Sequence, residues 1–174
     1  MFQECIKIPK RRIAVLIGEK GKVKRELQKL TSTTLKIDSD EGDVTIISEE
    51  SIDVFNTKPI VQAIARGLNP EIAFKLLEEE NCLEIIDITD FSLKSKKKLI
   101  RLKSRIIGAK GKARKNIEML THTDISVYGK TVSIIGTQEN TYLAKRAIQN
   151  LLQGSRHGKV YGFIERSKKL DKPL

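Results

Sequence analysis

Leu16-Ile17-Gly18-Glu19-Lys20-Gly21-Lys22 returns later in the chain as Ile106-Ile107-Gly108-Ala109-Lys110-Gly111-Lys112, with the paired glycines 90 residues apart. Each copy reads as two aliphatic residues, a Gly-x-x-Gly and a basic run. Helical periodicity follows in both: Val23, Leu27 and Leu30 match Ala113, Ile117 and Leu120 at i, i+4, i+7. Glycines three apart leave the backbone open to the close approach of a phosphate. The duplicated tract therefore points first to nucleic acid.

The duplication extends in both directions. Leu30-Thr31-Ser32-Thr33-Thr34 and Leu120-Thr121-His122-Thr123-Asp124 punctuate the helices with residues that compete for helical hydrogen bonds. Strands are expected at 35–37 and 43–47, and again at 125–127 and 131–135, joined by hairpin turns at 39–42 and 128–130. A closing helix follows each hairpin. In the first copy Asn56 or Thr57 is its expected cap, Pro59 its first turn and Ile60, Ile64 and Leu68 its apolar stripe; in the second, Thr137 caps a helix bearing Leu143, Ile148, Leu151 and Leu152. Cys5 to Ile8 and Leu83 to Ile88 read as first strands, each joined to its loop by a short helix. An extra helix over 71–80, carrying Ile72, Leu76 and Leu77, follows Asn69-Pro70 and is expected to pack the first copy against its neighbour.

Strand, helix, Gly-x-x-Gly, helix, strand, strand, helix is an order that resembles the type I KH domain. The resemblance implies an α+β fold with tandem KH domains, each a three-stranded antiparallel sheet packed against three helices. The expected boundaries are 1–80 for the first domain with its extra helix, 81–154 for the second, and 155–174 for a basic C-terminal extension. In that extension a short helix docks on the second domain, and a disordered tail is expected after Ser167, including Lys168, Lys169 and Lys172.

The second half carries a narrower resemblance. Gly111-Lys112-Ala113-Arg114-Lys115-Asn116-Ile117-Glu118, Val132-Ser133-Ile134-Ile135-Gly136, and Leu151 to Tyr161 with its Gly-Ser-x-x-Gly-Lys-Val-Tyr are similar to the archaeal counterpart of the partner-of-Nob family, two-KH factors of small-subunit assembly. This implies binding of single-stranded RNA near the 3′ end of small-subunit ribosomal RNA, in the company of a Nob-type endonuclease and without catalysis. The alternatives are a KH module of RNA degradation or transcription machinery, and a protein adaptor with vestigial RNA grooves. One departure stands out: Lys24 and Arg114 occupy the position, three after the second glycine, where the common KH pattern has an aliphatic residue.

Charge supports a polyanionic partner. The net charge of +11 divides into −4 over residues 1–90 and +15 over 91–174, and positions 7–36 hold 10 basic residues against 2 acidic. Basic residues thus gather around both loops. With no Trp, aliphatics must fill both cores. No signal peptide or membrane-spanning run is visible, so a soluble, cytoplasmic monomer is expected. Cys5 and Cys82 lack C-x-x-C spacing and are expected to be buried reduced thiols. No cofactor, metal or catalytic residue is expected. Gly129-Lys130-Thr131 ends like a P-loop without the earlier glycine, Gly158-Lys159-Val160 has valine where Ser or Thr is required, and His122 and His157 have no metal-ligand spacing.

The principal RNA site is expected in the second copy. There Gly108, Ala109, Lys110, Gly111 and Lys112 hold phosphate, Arg105, Arg114 and Lys115 add charge, and Ile106, Ile107, Ile125 and Val127 line a groove. A weaker first site comprises Gly18, Glu19, Lys20, Gly21, Lys22 and Lys24 with Leu16, Ile17, Leu35 and Ile37. Glu19 in place of Ala109 sets the ranking, helped by Lys94, Lys96, Lys97, Lys98, Arg101 and Lys103 upstream of the second loop. Arg156, His157 and Lys159 are candidate contacts from the extension. Asp38, Asp40, Glu41 and Asp43 form an acidic flank, read as solvated surface or a protein-facing patch.

Overall fold

The computed structural model describes residues 1–171, which divide into two compact units, Met1–Glu79 and the chain from Glu80 onward. In the first, strands β1 (Phe2–Lys7), β2 (Thr34–Asp38) and β3 (Asp43–Ser48) form an antiparallel sheet in the order β1-β3-β2. Helices α1 (Lys10–Ile17), α2 (Lys22–Thr31) and α3 (Ser51–Ala65) pack on one face of it, with a single 3-10 turn, Glu19–Gly21, between α1 and α2.

The second unit repeats this with β4 (Asn81–Asp87), β5 (Asp124–Tyr128) and β6 (Thr131–Thr137) in the order β4-β6-β5. Its helices are α6 (Lys96–Ile107), α7 (Lys112–Thr121) and α8 (Gln138–Leu152), with the turn Ala109–Gly111 between α6 and α7. The tandem KH architecture is present as expected. Three further helices, α4 (Pro70–Ala73), α5 (Thr89–Ser92) and α9 (His157–Leu170), and a 3-10 turn, Phe74–Leu77, complete the described elements.

Register explains why the two sheets bury the same face. Ile6 pairs with Val44 and Val44 with Ile37, while Glu4 pairs with Ile46 and Ile46 with Leu35. In the second unit the rows are Ile86, Val132, Val127 and Glu84, Ile134, Ile125. Period-two alternation places each row on one side, against the helices. Both rows that begin with a glutamate are closed by a lysine from the helix after the hairpin, α3 or α8: Lys58 bonds Glu4, and Lys145 meets Glu84 at 3.0 Å. The cores are aliphatic, with Leu16, Leu27, Leu35, Ile46, Ile60 and Ile64 fully buried in one unit and Ile106, Ile117, Ile125, Ile134 and Ile148 in the other. Each such side chain contributes roughly 1.5–3 kcal/mol relative to exposure.

The duplication also reaches single hydrogen bonds. Thr31 Oγ1 donates to the Leu27 carbonyl at 2.7 Å and meets Thr33, and Thr121 Oγ1 donates to Ile117 at 2.6 Å and meets Thr123. These buried hydroxyls hold the turn from helix to edge strand. Ser32 and His122, in the left-handed region at φ 54° and 52°, end the two helices.

Several local expectations are corrected. Helix α3 starts at Ser51, not near Asn56, so Pro59 lies inside it and Thr57 is buried, donating to the Asp53 carbonyl at 2.6 Å. The helix absorbs the proline because Phe55, whose carbonyl loses its partner, is on the exposed side where water can bond it. The extra helix is short: α4 and the 3-10 turn Phe74–Leu77 pack on α3 of their own unit. Leu30 is exposed, leaving Leu27 to anchor α2. Cys5 is exposed rather than buried, since its side of β1 faces away from the helices; Cys82 is partly buried with Sγ 3.2 Å from Thr141 Oγ1. In the extension α9 runs through Ser167 to Leu170 because Val160 and Ile164 are buried on the second core. Lys172 lies outside the described residues.

Candidate nucleic-acid interface

Both Gly-x-x-Gly loops adopt one conformation. Gly18, Lys20 and Gly21 have φ of 75°, 50° and 74°, and Gly108, Lys110 and Gly111 have 72°, 53° and 75°. The two glycines are needed for different reasons. A Cβ on Gly108 would lie 2.6 Å from the Ala113 Cβ and 2.7 Å from its amide nitrogen, and one on Gly18 would meet Val23 at 2.5 Å. The first glycine thus lets the following helix start tight against the loop. Gly111 has nothing within 4 Å of an added Cβ. Within the protein itself its requirement is the positive φ alone.

Such a loop presents a charge and a dipole together. Lys20 and Lys110 project exposed from the left-handed corner, with Glu19 or Ala109 exposed beside them. Helices α2 and α7 begin at Gly21 and Gly111, which supply no capping side chain. The amides of Lys22 and Lys112 donate to the Glu19 and Ala109 carbonyls; the amides that follow meet no capping side chain, and the positive dipole end of each helix favours an anion. Lys22, Lys112 and Lys115 are exposed around this end, and Lys24 is partly so.

The aliphatic candidates divide by burial. Leu16, Leu35, Ile106 and Ile125 are no more than 2% exposed and belong to the cores, so they cannot floor a groove. Ile17, Ile37, Ile107 and Val127 remain partly exposed beside the loops and edge strands. Sequence spacing cannot separate the two sets, since adjacent residues of one helix and alternate residues of one strand are divided only by tertiary packing.

The basic departure from the KH pattern has a structural use. Arg114 Nη1 donates to the Ile125 carbonyl at 3.0 Å and lies 3.7 Å from Glu118, while Glu118 Oε1 accepts the Ile125 N–H at 2.8 Å. Two side chains of α7 thereby close both polar groups of one residue on the free edge of β5. In the first unit Gln28 accepts the Leu35 N–H at 2.8 Å, and Lys24 stands where Arg114 does. Glu118 and Gln28 were missed by sequence reasoning; their shared place in the 90-residue repeat, each an acceptor one turn after a basic residue, was the available signal. Glu118→Ala is expected to cost about 1–3 kcal/mol of stability by stranding the Ile125 amide, measured by urea unfolding, whereas Glu118→Gln should cost under ~1 kcal/mol because an amide oxygen can replace the carboxylate there.

Two expected contacts prove to be committed elsewhere. Arg105 Nη2 donates to the Ser155 carbonyl at 2.6 Å, and His157 Nε2 is 2.7 Å from the Arg105 carbonyl. These bonds fasten the start of α9 to α6, so Arg105 and His157 are docking residues in this structure; Arg156 and Lys159 remain exposed. Arg25, another residue missed from sequence, donates to the Lys20 carbonyl at 2.7 Å and braces the first loop. The first loop's surroundings are also more acidic: Lys22 shares a cleft of about 340 Å³ with Glu26 and Glu71. Within the acidic flank, the N–H groups of Glu41 and Asp40 bond Asp38 Oδ1 and hold its carboxyl below the usual carboxylate range. Asp38 is thus a turn residue, and Lys7 lies near Glu41 and Asp43.

Among the described residues no cluster of three or more His, Cys, Asp or Glu could hold a metal, and no helix is long and apolar enough to cross a membrane.

Comparison with known proteins agrees with this geometry. Residues 82–169 match the profile for the second KH domain of PNO1, described as a eukaryotic type KH-domain (KH-domain type I), and residues 3–62 match the KH domain profile. A KH domain-containing protein of Methanocaldococcus jannaschii is 47% identical over 169 residues, covering 95% of this chain and 74% of that protein. The RNA-binding protein PNO1 of Oryzias latipes is 35% identical over 105 residues, 60% of this chain but 43% of its own length. The crystal structure of Dim2p from Pyrococcus horikoshii aligns with a TM-score of 0.89 at 48% identity, covering 95% of this chain and 99% of that one. The a/eIF2alpha-aDim2p-rRNA complex from the same organism contains a chain with the same TM-score and identity, at 97% and 94% coverage. On the shared loops, the repeated KH order and these matches, the chain belongs to the PNO1/Dim2, or partner-of-Nob, family of two-KH-domain proteins.

Proposed function

We propose that the protein binds single-stranded RNA through both Gly-x-x-Gly loops and serves small-subunit ribosomal RNA processing or assembly, with its target near the 3′ end of that RNA. The observation that carries this is the pair of loops with the same left-handed geometry, each placing an exposed lysine at an uncapped helix start. Membership of the family and a relative solved with rRNA support the choice of RNA. In this reading Gly108 to Lys112, with Lys115, form the principal grip and Gly18 to Lys22 the weaker one. Ile107 and Val127, or Ile17 and Ile37, meet the bases, because these aliphatics reach the surface beside the loops. The chain acts by binding, in the cytoplasm, and any cleavage of the RNA is the work of a partner such as a Nob-type endonuclease.

A salt titration tests the reading. With about five phosphate contacts, log affinity for a single strand should fall against log salt with a slope near −3.5, at roughly −0.7 per contact. A flat response, together with retained binding to ribosome-associated proteins, would identify an adaptor with vestigial grooves.

A further inference from the structure

Helix α6 is charged against its own dipole. Its first turn holds Lys96, Lys97 and Lys98 and no acidic residue, so three cations face the positive end of the helix. Ser95 caps that end through the Lys98 amide at 3.2 Å and brings no charge. Among the described residues no carboxylate pairs with Lys94, Lys97 or Arg101.

These cations are also in line. Lys97, Arg101 and Ser104 follow one another at i, i+4 and i+7, all exposed, and the same face ends at Gly108, where the loop with the exposed Lys110 begins. Lys94 is a further exposed cation just ahead of the helix, in the left-handed region at φ 63°. At 1.5 Å per residue the stretch from Lys97 to Gly108 is about 16 Å long, enough for several successive phosphates of an extended strand. Ile100, 65% exposed, flanks the line and offers an apolar surface to a sugar or base. Helix α1 also opens on three cations, Lys10, Arg11 and Arg12, but it is shorter, no cation follows them along the helix, and Arg12 is spent on the carbonyls of Ile64 and Leu68 at 2.7 and 3.0 Å.

We propose that the exposed face of α6 is a second RNA site, a backbone track along Lys94, Lys97 and Arg101 that carries the single strand beyond the nucleotides held at the loop. The track rests on the RNA reading of the second unit and adds a length to it: that unit binds a longer strand than its groove alone can cover, without reading the added sequence.

The test uses the full chain and randomised single-stranded RNA pools of three lengths, 4, 8 and 12 nucleotides, with binding followed by fluorescence anisotropy. Wild type is compared with the double variant K97A/R101A, whose folding is checked by circular dichroism; both sites are exposed and alanine favours the helix. The variant should bind the shortest pool within about threefold of wild type. On the longest pool it should lose about tenfold, and its salt slope should be smaller by about 1.4, the share of two contacts. Equal losses on short and long pools, or no loss on either, overturn the track while leaving the loop reading intact. A duplex of the longest length bound with the same dependence on Lys97 and Arg101 overturns it too, by showing a general polyanion patch. If wild type binds no pool at all, the RNA reading itself falls and the track with it.

Discussion

Ala109→Asp combined with Lys110→Asp is expected to lower RNA affinity ten- to a hundredfold. Hydrogen bonds to charged groups contribute about 1.5–3 kcal/mol each, and every 1.4 kcal/mol is about tenfold in affinity. The double change removes one cation and puts two carboxylates at the open end of α7. Folding should survive, since both positions are exposed and aspartate tolerates the left-handed backbone that Lys110 adopts. The matching pair, Glu19→Asp with Lys20→Asp, should cost only about threefold, because that loop already bears a carboxylate and its base is shared with Glu26 and Glu71. Anisotropy titrations at one fixed salt concentration decide the matter, and equal losses would refute the ranking of the two loops.

Gly108→Ala should damage the fold itself. At φ 72° and ψ 176° the backbone is in a region that only glycine enters at low cost, and the new methyl would collide with both the Cβ and the amide of Ala113. Strain of about 1–3 kcal/mol and overpacking of about 1–3 kcal/mol act together, so thermal unfolding should show a loss of several kcal/mol. Gly111→Ala makes no collision and pays mainly for its left-handed φ, about 1–2 kcal/mol. A comparable loss at the two glycines would show that the contact with Ala113 relaxes freely. The pair separates two roles that one motif conceals: the first glycine brings a helix close, and the second turns the chain.

Much of this was legible because the fold is written twice. Two copies of a strand, a loop, a helix and a hairpin at constant spacing left few topologies, and the apolar alternation of Val44, Ile46, Val132 and Ile134 already named the buried face. Boundaries were less legible where tertiary contacts override local signals. Pro59 reads as a helix start in isolation, yet α3 begins at Ser51 because Val54, Ile60 and Ile64 bury one continuous face. The thinning of apolar residues after Ser167 predicts that the helix fades there, while Val160 and Ile164, docked on the core, carry it further. Charge alone could not tell Arg105, bonded to the Ser155 carbonyl, from Arg101, which stands free among the described residues. Nor could it show that the basic residue at 114 serves a strand edge.

That last contact also bears on how the protein behaves in a crowd. β5 is an outer strand, and an outer strand with open peptide groups is a template on which another chain can add itself. With Arg114 and Glu118 holding the carbonyl and amide of Ile125, the ladder such an intruder would need is broken near its start. The pair that steadies the second unit is thus also a guard against edge-to-edge pairing with another chain.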